Sequence, residues 1–420
     1  MSATAARPKP VMSRSEWRVL LVLGAVQFTN VLDFVIMMPL APLAKDDLHI
    51  TSGEFGRIVG AYGYAAFIGS LLAAKFLDRF GRKQALLGLY LGFGVSTLLC
   101  GLAPTYGSLV AARALAGLFG GVAGAAVMAI VGDLFADYRR GTAMGIVMAS
   151  FSVASVVGVP VGLVLAEAFG TGAPFKALAG VSAIVWLAAW FVLPPLRGHI
   201  RAGRPHASLA SLVSVPTHLT AFAFTTAVVF SGFLIIPFLA DSMVANAGQR
   251  KVDIKWVYLC AGLFTLVTTI VVGRWSDRFG KLPMFRGLAI AALTTGLIIT
   301  NLPPVPLWVA LAAGTAFMVT MSGRMVPGMA MITASAAPAV RGGFLSLNGA
   351  VQFAGMGLAS TVAGELIGQA EDGRLPGYPL IGLLATGAAL MSLVLAGRLR
   401  PAAGSRAAAE TDTVLEEAVV

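Results

Sequence analysis

The chain has 420 residues, of which 57% are hydrophobic and only 12% charged, and its mean hydropathy is +0.85. A soluble globule of this length cannot bury so much apolar surface, so lipid is the expected solvent for most of the chain. The net charge of +11 does not predict nucleic-acid binding, because most Lys and Arg residues fall on one alternating set of connections and termini, which is typical of membrane topology.

Apolar segments of about 20 residues, the length that crosses roughly 30 Å of hydrocarbon, recur along the whole chain. The twelve predicted spans are residues 17–41, 56–77, 84–103, 107–131, 142–168, 176–195, 217–240, 256–274, 285–303, 306–331, 343–367 and 378–397. An even number of spans places both termini on one side, and the basic connections predict that this side is cytoplasmic. We therefore expect an all-α, multi-pass protein of the cell (inner) membrane.

A charged turn occurs twice, nearly half a chain apart, and each copy follows a long apolar run. Its candidate residues are Asp78, Arg79, Gly81, Arg82 and Lys83 in the first copy, and Gly273, Asp277, Arg278, Gly280 and Lys281 in the second. The pair Arg140-Gly141 recurs as Arg341-Gly342 at almost the same separation. Such agreement predicts two parallel six-helix repeats.

The domain organisation follows from these segments. We expect a cytoplasmic arm at 1–16, a six-helix bundle at 17–196, a polar cytoplasmic linker at 197–216, a second bundle at 217–398 and a cytoplasmic tail at 399–420.

Several function classes are disfavoured by what the sequence contains. The two cysteines, Cys100 and Cys260, lie in apolar runs of different halves, so neither a disulfide framework nor a cysteine metal site is predicted. The sequence around Gly280-Lys281 does not have the spacing of a phosphate-binding loop, which argues against a primary pump. We expect no enzyme activity, no cofactor and no metal.

Ionisable residues inside the predicted spans are the sharpest functional signal, because a charge in hydrocarbon is costly and tends to face a cavity or a partner. Asp33 and Arg113 fall at similar depth in the first and fourth spans. Gln27, Asn30 and Asp33 follow each other at three-residue steps, so they should share one side of the first helix, and we expect that side to face a central cavity.

Two interpretations of Asp33 remain open. It is either a carboxylate that binds and releases a proton, with burial and the nearby Arg113 opposing each other, or a permanently ionised structural partner of that arginine. The first is favoured, because a coupling acid must gain and lose its proton near the working pH.

Polar residues of the second half supply further candidates. Asn348 and Gln352 lie four residues apart on one face of the eleventh span, which suits either hydrogen bonds to a substrate or helix-to-helix contact. Arg324 is expected near the cytoplasmic gate, where it would snorkel or form an ion pair. Candidate cavity walls, for which contact with lipid is the alternative, are Phe34, Met37, Met38, Tyr62, Tyr64, Phe230 and Phe233.

The charged turns resemble the signature G-x-L-a-D-r-x-G-r-k of the major facilitator superfamily, and the resemblance covers residues 15–400. This chain departs from the signature with Ala74 and Phe76 at its first and third positions. The resemblance implies twelve helices in two bundles, and a latch between the bundles at these turns that opens as the carrier rocks. A topological anchor with no gating role is the alternative for the turns.

Two further motifs are similar to those of the drug:proton antiporter branch, within it the sugar or arabinose efflux group. Residues 113–117 resemble R-x-x-q-G with Ala116 in place of Gln, and residues 158–162 resemble G-V-P-x-G. Gly158, Pro160 and Gly162 should favour a bend and close helix contact, so a packing role is as well supported as a role in coupling. Residues 170–175 lack the Trp-Arg usual in that group.

The resemblance implies a secondary active transporter. We expect proton-coupled efflux of a small organic molecule such as a drug, sugar or metabolite, by rocker-switch alternating access. An energy-independent facilitator or a proton-coupled importer is the alternative, and a transporter-like sensor is a more distant one. The expected partners are a small-molecule substrate, protons and the lipid bilayer, with no nucleic acid, and the chain is expected to act as a monomer.

Overall fold

The computed structural model describes residues 12–76, 80–135, 137–196, 209–338, 340–370 and 373–402. Within these ranges, twelve helices are long and apolar enough to cross a membrane, as the sequence predicts. They are α1 Arg14–Ile36, α2 Ser52–Ala73, α3 Arg82–Leu102, α4 Tyr106–Leu134, α5 Arg139–Phe169, α6 Ala173–Val192, α7 Pro216–Ala245, α8 Lys251–Phe279, α9 Lys281–Thr300, α10 Leu307–Ala334, α11 Arg341–Ile367 and α12 Tyr378–Ala396. Asp78, Arg79 and most of the predicted arm, linker and tail lie outside the described residues.

The outer surface of the helices is strongly apolar. Phe191 is 81% exposed, Trp308 71% and Ile184 69%, and many other large apolar side chains are similarly uncovered. Soluble monomers rarely expose apolar patches of this extent. Lipid tails are as apolar as these side chains, so this surface is compatible with a bilayer and not with water.

The fold has two membrane faces and two halves. We call the membrane face at which α1 begins and α12 ends the terminal face, and the other the opposite face. We call α1–α6 the first half and α7–α12 the second half. The halves meet mainly where α2 packs on α11 and where α5 packs on α8.

Glycines allow the close approach of α2 and α11. A Cβ added to Gly63 would lie 2.8 Å from the Cα of Gly357, and one added to Gly56 would lie 2.6 Å from the carbonyl oxygen of Ser360. These contacts are with backbone atoms, which cannot move aside without shifting a helix. The small residues therefore set the spacing of the two halves, as at many helix interfaces in membranes.

The buried apolar residues form clusters that differ between the two faces. Towards the opposite face, one cluster contains residues of both halves, such as Phe55 of α2 and Phe238 of α7. Towards the terminal face, the buried members of two separate clusters belong one to each half, with Leu86 in the first and Phe285 in the second. The two halves are thus packed into a common core near the opposite face.

Three of the spans are irregular. A π-helical turn, Ala154–Gly158, interrupts α5 directly before Pro160, and a 3₁₀ turn, Ile236–Phe238, interrupts α7. Pro327 lies inside α10. Proline removes a backbone donor and crowds the preceding turn, so such segments bend, and in membrane proteins they are tolerated where protein or a cavity covers them.

The two copies of the charged turn use their glycines differently. Gly280 separates α8 from α9 with φ +91°, a conformation that side chains rarely adopt. Gly81, which precedes α3, has φ −60° and ordinary extended backbone. The backbone therefore requires a glycine in the second copy only.

Candidate functional site

Asp33 and Arg113 form an ion pair in the interior of the first half. Arg113 Nη1 lies 2.8 Å from Asp33 Oδ2, and neither side chain has any exposed surface. The hydroxyl of Thr97 donates to Asp33 Oδ1 at 3.0 Å, and Arg113 Nη1 also donates to the Asp33 main-chain oxygen at 3.1 Å. Both carboxylate oxygens therefore accept hydrogen bonds, from α3 and from α4.

The side of α1 that carries this pair faces its own half instead of a cavity between the halves. Asn30 donates to the carbonyl of Gly120 at 2.6 Å, and its oxygen accepts a hydrogen bond from Tyr62 at 3.2 Å. Gln27 lies next to it, beside Gly124, with an oxygen that has no hydrogen-bond partner among the described residues. The expectation that Gln27, Asn30 and Asp33 face the central cavity is therefore corrected, because α1 is rotated so that they contact α2, α3 and α4.

A central cavity of about 270 Å³ lies between the halves. It is lined by α1, α5, α7, α8, α10 and α11, and its walls are mainly apolar. Of the candidate wall residues, Phe34, Met38 and Phe233 line it. Its volume lies near the lower end of the range of small-molecule sites, so it suits a compact organic molecule.

The second-half candidates divide between cavity and helix contact. Gln352 lines the cavity. Asn348 is 2% exposed and accepts a hydrogen bond from Thr225 of α7 at 2.7 Å, so it joins two helices. Of the two roles left open for Asn348, the structure shows the helix contact.

Arg324 lies in the wall of the same cavity and is 2% exposed. Its Nη2 atom donates to the carbonyl of Val228 at 3.0 Å and to the hydroxyl of Ser231 at 2.9 Å, both on α7. The expected snorkelling is not seen, because the guanidinium reaches across to the neighbouring helix and not along α10 to the membrane face.

Aromatic rings connect the cavity to the buried ion pair. The Arg113 Cζ atom lies 4.6 Å from the centroid of the Tyr62 ring, which lies 5.1 Å from the ring of Phe34. Phe34 in turn lies 5.9 Å from Phe233, and both of these phenylalanines line the cavity. A molecule in the cavity would therefore touch Phe34, whose ring packs on Tyr62 beside the ion pair.

A second, much smaller cavity lies on the other side of the ion pair. Its volume is about 30 Å³, enough for about one water molecule, and its lining includes Cys100, Phe175 and Thr171. The ring centroid of Phe175 lies 5.9 Å from Arg113 Cζ. Thr171 belongs to the connection between α5 and α6, at the opposite face.

Ion pairs between the halves are a feature that the sequence analysis does not foresee. Within the described residues, the pairs that join the halves all lie at the opposite face: Lys45–Asp241, Asp46–Lys251, Arg57–Glu365 and Glu167–Lys255. The Lys45–Asp241 pair is the most buried, with side chains 7% and 8% exposed and a distance of 2.8 Å. Charge complementarity thus supports the closed packing at that face.

Described residues of the first charged turn make contacts within the first half. Arg82 pairs with Asp133 at 3.1 Å, and Lys83 donates to the carbonyls of Trp190 and Leu193 at 2.6 and 2.7 Å. These bonds tie the start of α3 to the ends of α4 and α6.

In the second copy of the turn, Arg278 lies over the ring of Phe279 at 5.4 Å. A Cβ at Gly273 would meet no described atom within 4 Å. Asp277, Gly280 and Lys281 lie at the junction of α8 and α9.

The glycines of the fifth span pack on α1. A Cβ added to Gly158 would lie 2.8 Å from the Leu32 side chain, and one added to Gly162 would lie 2.6 Å from the Ile36 side chain. With Pro160 and the π-helical turn, they bring an irregular helix against the helix that carries Asp33.

Replacement of Lys45 by methionine is expected to weaken closure at the opposite face. Asp241 would lose the partner of its buried charge, a change that costs about 2–5 kcal/mol, so states in which Asp241 reaches water should become at least about tenfold more populated. Spin labels on cysteines introduced at Pro104 and Pro303, on exposed loops of the two halves, report the opening in a Cys260→Ala background. Double electron–electron resonance should measure a longer distance between the two labels in the Lys45→Met variant.

The matched control for this prediction is Arg57→Met. It breaks the pair with Glu365, whose side chains are 51% and 47% exposed, and such pairs contribute little. Equal distance distributions in the two variants would contradict the prediction that the Lys45–Asp241 pair holds the opposite face closed.

The chain is similar to known membrane transporters. It matches the Major Facilitator Superfamily over residues 23–243 and 221–418. An uncharacterized MFS-type transporter of Bacillus subtilis, YceJ, is 29% identical over 366 residues, which is 85% of this chain and 91% of that protein. The chloramphenicol resistance protein of Streptomyces lividans is 28% identical over 255 residues, 57% of this chain and 62% of that one. Multidrug resistance protein 2 of Bacillus subtilis is 28% identical over 42% of this chain and 44% of its own length.

A solved structure with the same fold is a bacterial homolog of the human lysosomal transporter Spinster in an inward-facing and occupied conformation. It aligns with a TM-score of 0.67 and 18% identity, over 93% of this chain and 95% of that one. Together with the twelve spans, these matches show a multi-pass membrane transporter and not an enzyme. The chain belongs to the major facilitator superfamily.

Proposed function

We propose that this transporter exports a small organic molecule in exchange for protons, by rocker-switch alternating access. The observation that carries the proposal is the Asp33–Arg113 pair, fully buried in one half of the molecule and connected by aromatic rings to the central cavity. Buried ionisable residues in membrane helices are costly and mark proton relays or substrate paths.

The proton step is assigned to Asp33. Burial of Asp33 favours the neutral form, whereas the bonds that its carboxylate accepts from Thr97 and Arg113 favour the ionised form. A proton that reaches Asp33 removes its charge and weakens the bond to Arg113. The water-sized cavity beside Phe175 supports arrival of that proton from the opposite face.

The substrate step is assigned to the central cavity, with Gln352 as a hydrogen-bonding group. The interhalf ion pairs and the shared apolar cluster hold the opposite face closed. The excess of basic residues at the terminal face favours a cytoplasmic location for that face. The described conformation then corresponds to a cytoplasm-facing state, ready to load substrate.

The motif residues complete this cycle. We assign the charged turns to gating at the cytoplasmic face, and Gly158, Pro160 and Gly162 to an α1–α5 contact that must adapt as the halves rock. Arg324, whose side chain lies in the cavity wall, is assigned there and not to the cytoplasmic gate.

Export is favoured over import by the relatives. Proteins named for chloramphenicol and multidrug resistance align with this chain. An energy-independent facilitator is the second candidate, and it would leave Asp33 as a structural partner of Arg113.

Proton flux in proteoliposomes tests the proposal. The purified protein is reconstituted with an internal pH dye and offered sugars, amino acids, carboxylates and cationic drugs under an imposed pH gradient. We expect proton movement that depends on at least one compound and disappears when an ionophore collapses the gradient. Movement of a compound without proton movement would favour the facilitator.

A further inference from the structure

The central cavity carries an unbalanced positive charge. Among the described residues that line it, Arg324 is the one charged side chain, and no Asp or Glu is present. The described ion pairs of the second half do not include Arg324. An uncompensated charge in an apolar wall is unfavourable, so the site is incomplete as it stands.

Arg324 also has donors to spare. Its Nη2 atom is used by Val228 and Ser231, but its Nε and Nη1 atoms have no hydrogen-bond partner within the described structure. The hydroxyl of Tyr258, on α8 in the same lining, is buried and unpartnered as well. Buried polar groups are normally hydrogen-bonded, so unpartnered ones at a cavity indicate a missing acceptor.

We propose that the cavity binds an amphipathic organic anion, with its acidic group on Arg324 and its apolar body against Phe34 and Phe233. The inference deepens the proposed function, since it takes this anion to be the transported substrate. A guanidinium suits a carboxylate, because hydrogen bonds between a charged donor and an ionised acceptor are stronger than those to a neutral acceptor.

The apolar part of the cavity can adapt to such a molecule. The spare donors of Arg324 are covered in the described conformation. Met321 and Met325 lie on the same helix and in the same lining, and their flexible side chains can move aside to admit the acidic group. A cationic substrate is disfavoured, since it would meet Arg324 in a medium of low dielectric with no carboxylate to offset the repulsion.

The test is a binding experiment on the full chain in phosphatidylcholine nanodiscs, without any pH gradient. Three probes share one apolar body and differ in charge: 4-phenylbutyrate, 4-phenylbutanamide and 4-phenylbutylamine. The concentration dependence of the melting temperature, followed by tryptophan fluorescence, gives the Kd of each. We expect the carboxylate to bind about tenfold more tightly than the amide, as a charge-assisted hydrogen bond predicts, and the amine to bind most weakly. Octanoate, compared with 4-phenylbutyrate, tests whether an aliphatic chain can replace the aromatic body.

Matched variants assign the preference to the residue. Arg324→Gln should remove the preference for the carboxylate, whereas Arg286→Gln, which removes the same charge from an exposed position on α9, should keep it. Arg324→Lys should keep the order of the three probes but bind the carboxylate more weakly than the wild type does. If Arg324→Gln does not fold, the wild-type order and Arg324→Lys decide.

Equal binding of the amine and the carboxylate, no binding of the carboxylate, or an unchanged preference in Arg324→Gln would overturn the inference. The result is independent of proton coupling. An anion-selective site with no proton flux would refute the antiport and leave this inference standing. Proton flux driven by cationic compounds would support the antiport and contradict this inference.

Discussion

Asp33→Asn is expected to abolish proton-driven export while the protein still exchanges substrate down its gradient. An amide cannot gain and lose a proton at any working pH, so uphill transport loses its driving force. Rocking of the halves does not itself need the charge. In the proteoliposome assay, substrate-dependent proton flux should fall to the level of protein-free liposomes, and exchange of labelled for unlabelled substrate should persist.

The variant should remain folded because its environment can hold an amide. The amide oxygen can still accept a hydrogen bond from Arg113, and the face of the Tyr62 ring lies 4.6 Å from the guanidinium, where it attracts the cation. The neutral side chain also resembles the protonated carboxyl that the proposed cycle visits.

Asp253→Asn is the control for this change. Asp253 lies at the start of α8 near the opposite face and pairs with Arg250 three residues earlier, so the same substitution there removes a carboxylate that plays no part in the proposed cycle. Its flux should match that of the wild type. Full proton-coupled export by Asp33→Asn would contradict the assignment of Asp33 as the proton site.

The spans and the depth of the charged residues could be predicted from the sequence. Runs of apolar residues long enough to cross a bilayer have few alternatives to a helix. Depth follows from counting at 1.5 Å per residue. That arithmetic placed Asp33 and Arg113 at one level, and in the structure they are in contact.

The rotation of the helices could not be predicted in the same way. In a soluble helix the apolar stripe marks the buried side, but here side chains that face lipid and side chains that face protein are equally apolar. The three-residue steps from Gln27 to Asp33 correctly put these residues on one side of α1. Nothing in the pattern said whether that side faces the cavity or α4.

Long-range pairing was equally hidden. Lys45 and Asp241 lie in short stretches that look like ordinary solvated connections, and their contact depends on how two bundles meet. The irregular turn before Pro160 was foreseeable from the proline. The 3₁₀ turn in α7 also contains a proline, Pro237, but the sequence does not show that Ile236 of this turn lines the cavity.

Arg113→Gln is expected to destabilise the protein, because it breaks the buried ion pair. It leaves Asp33 buried and without its cation, and removal of one partner of a buried ion pair costs about 3–5 kcal/mol. It also removes the bond from Arg113 to the Asp33 main-chain oxygen. The measurement is thermal unfolding of the purified variant in nanodiscs, where the melting temperature should fall below that of the wild type.

The double variant Asp33→Asn/Arg113→Gln separates the charge effect from packing. Two amides at these positions carry no charge and can bond to each other and to Thr97, so the double variant should be more stable than Arg113→Gln alone. The difference is a coupling energy in a double-mutant cycle, and neighbours in one buried network give values of about 0.5–3 kcal/mol. Additive losses of stability would mean that the two charges do not stabilise each other. A proton that binds Asp33 would then not have to compete with Arg113.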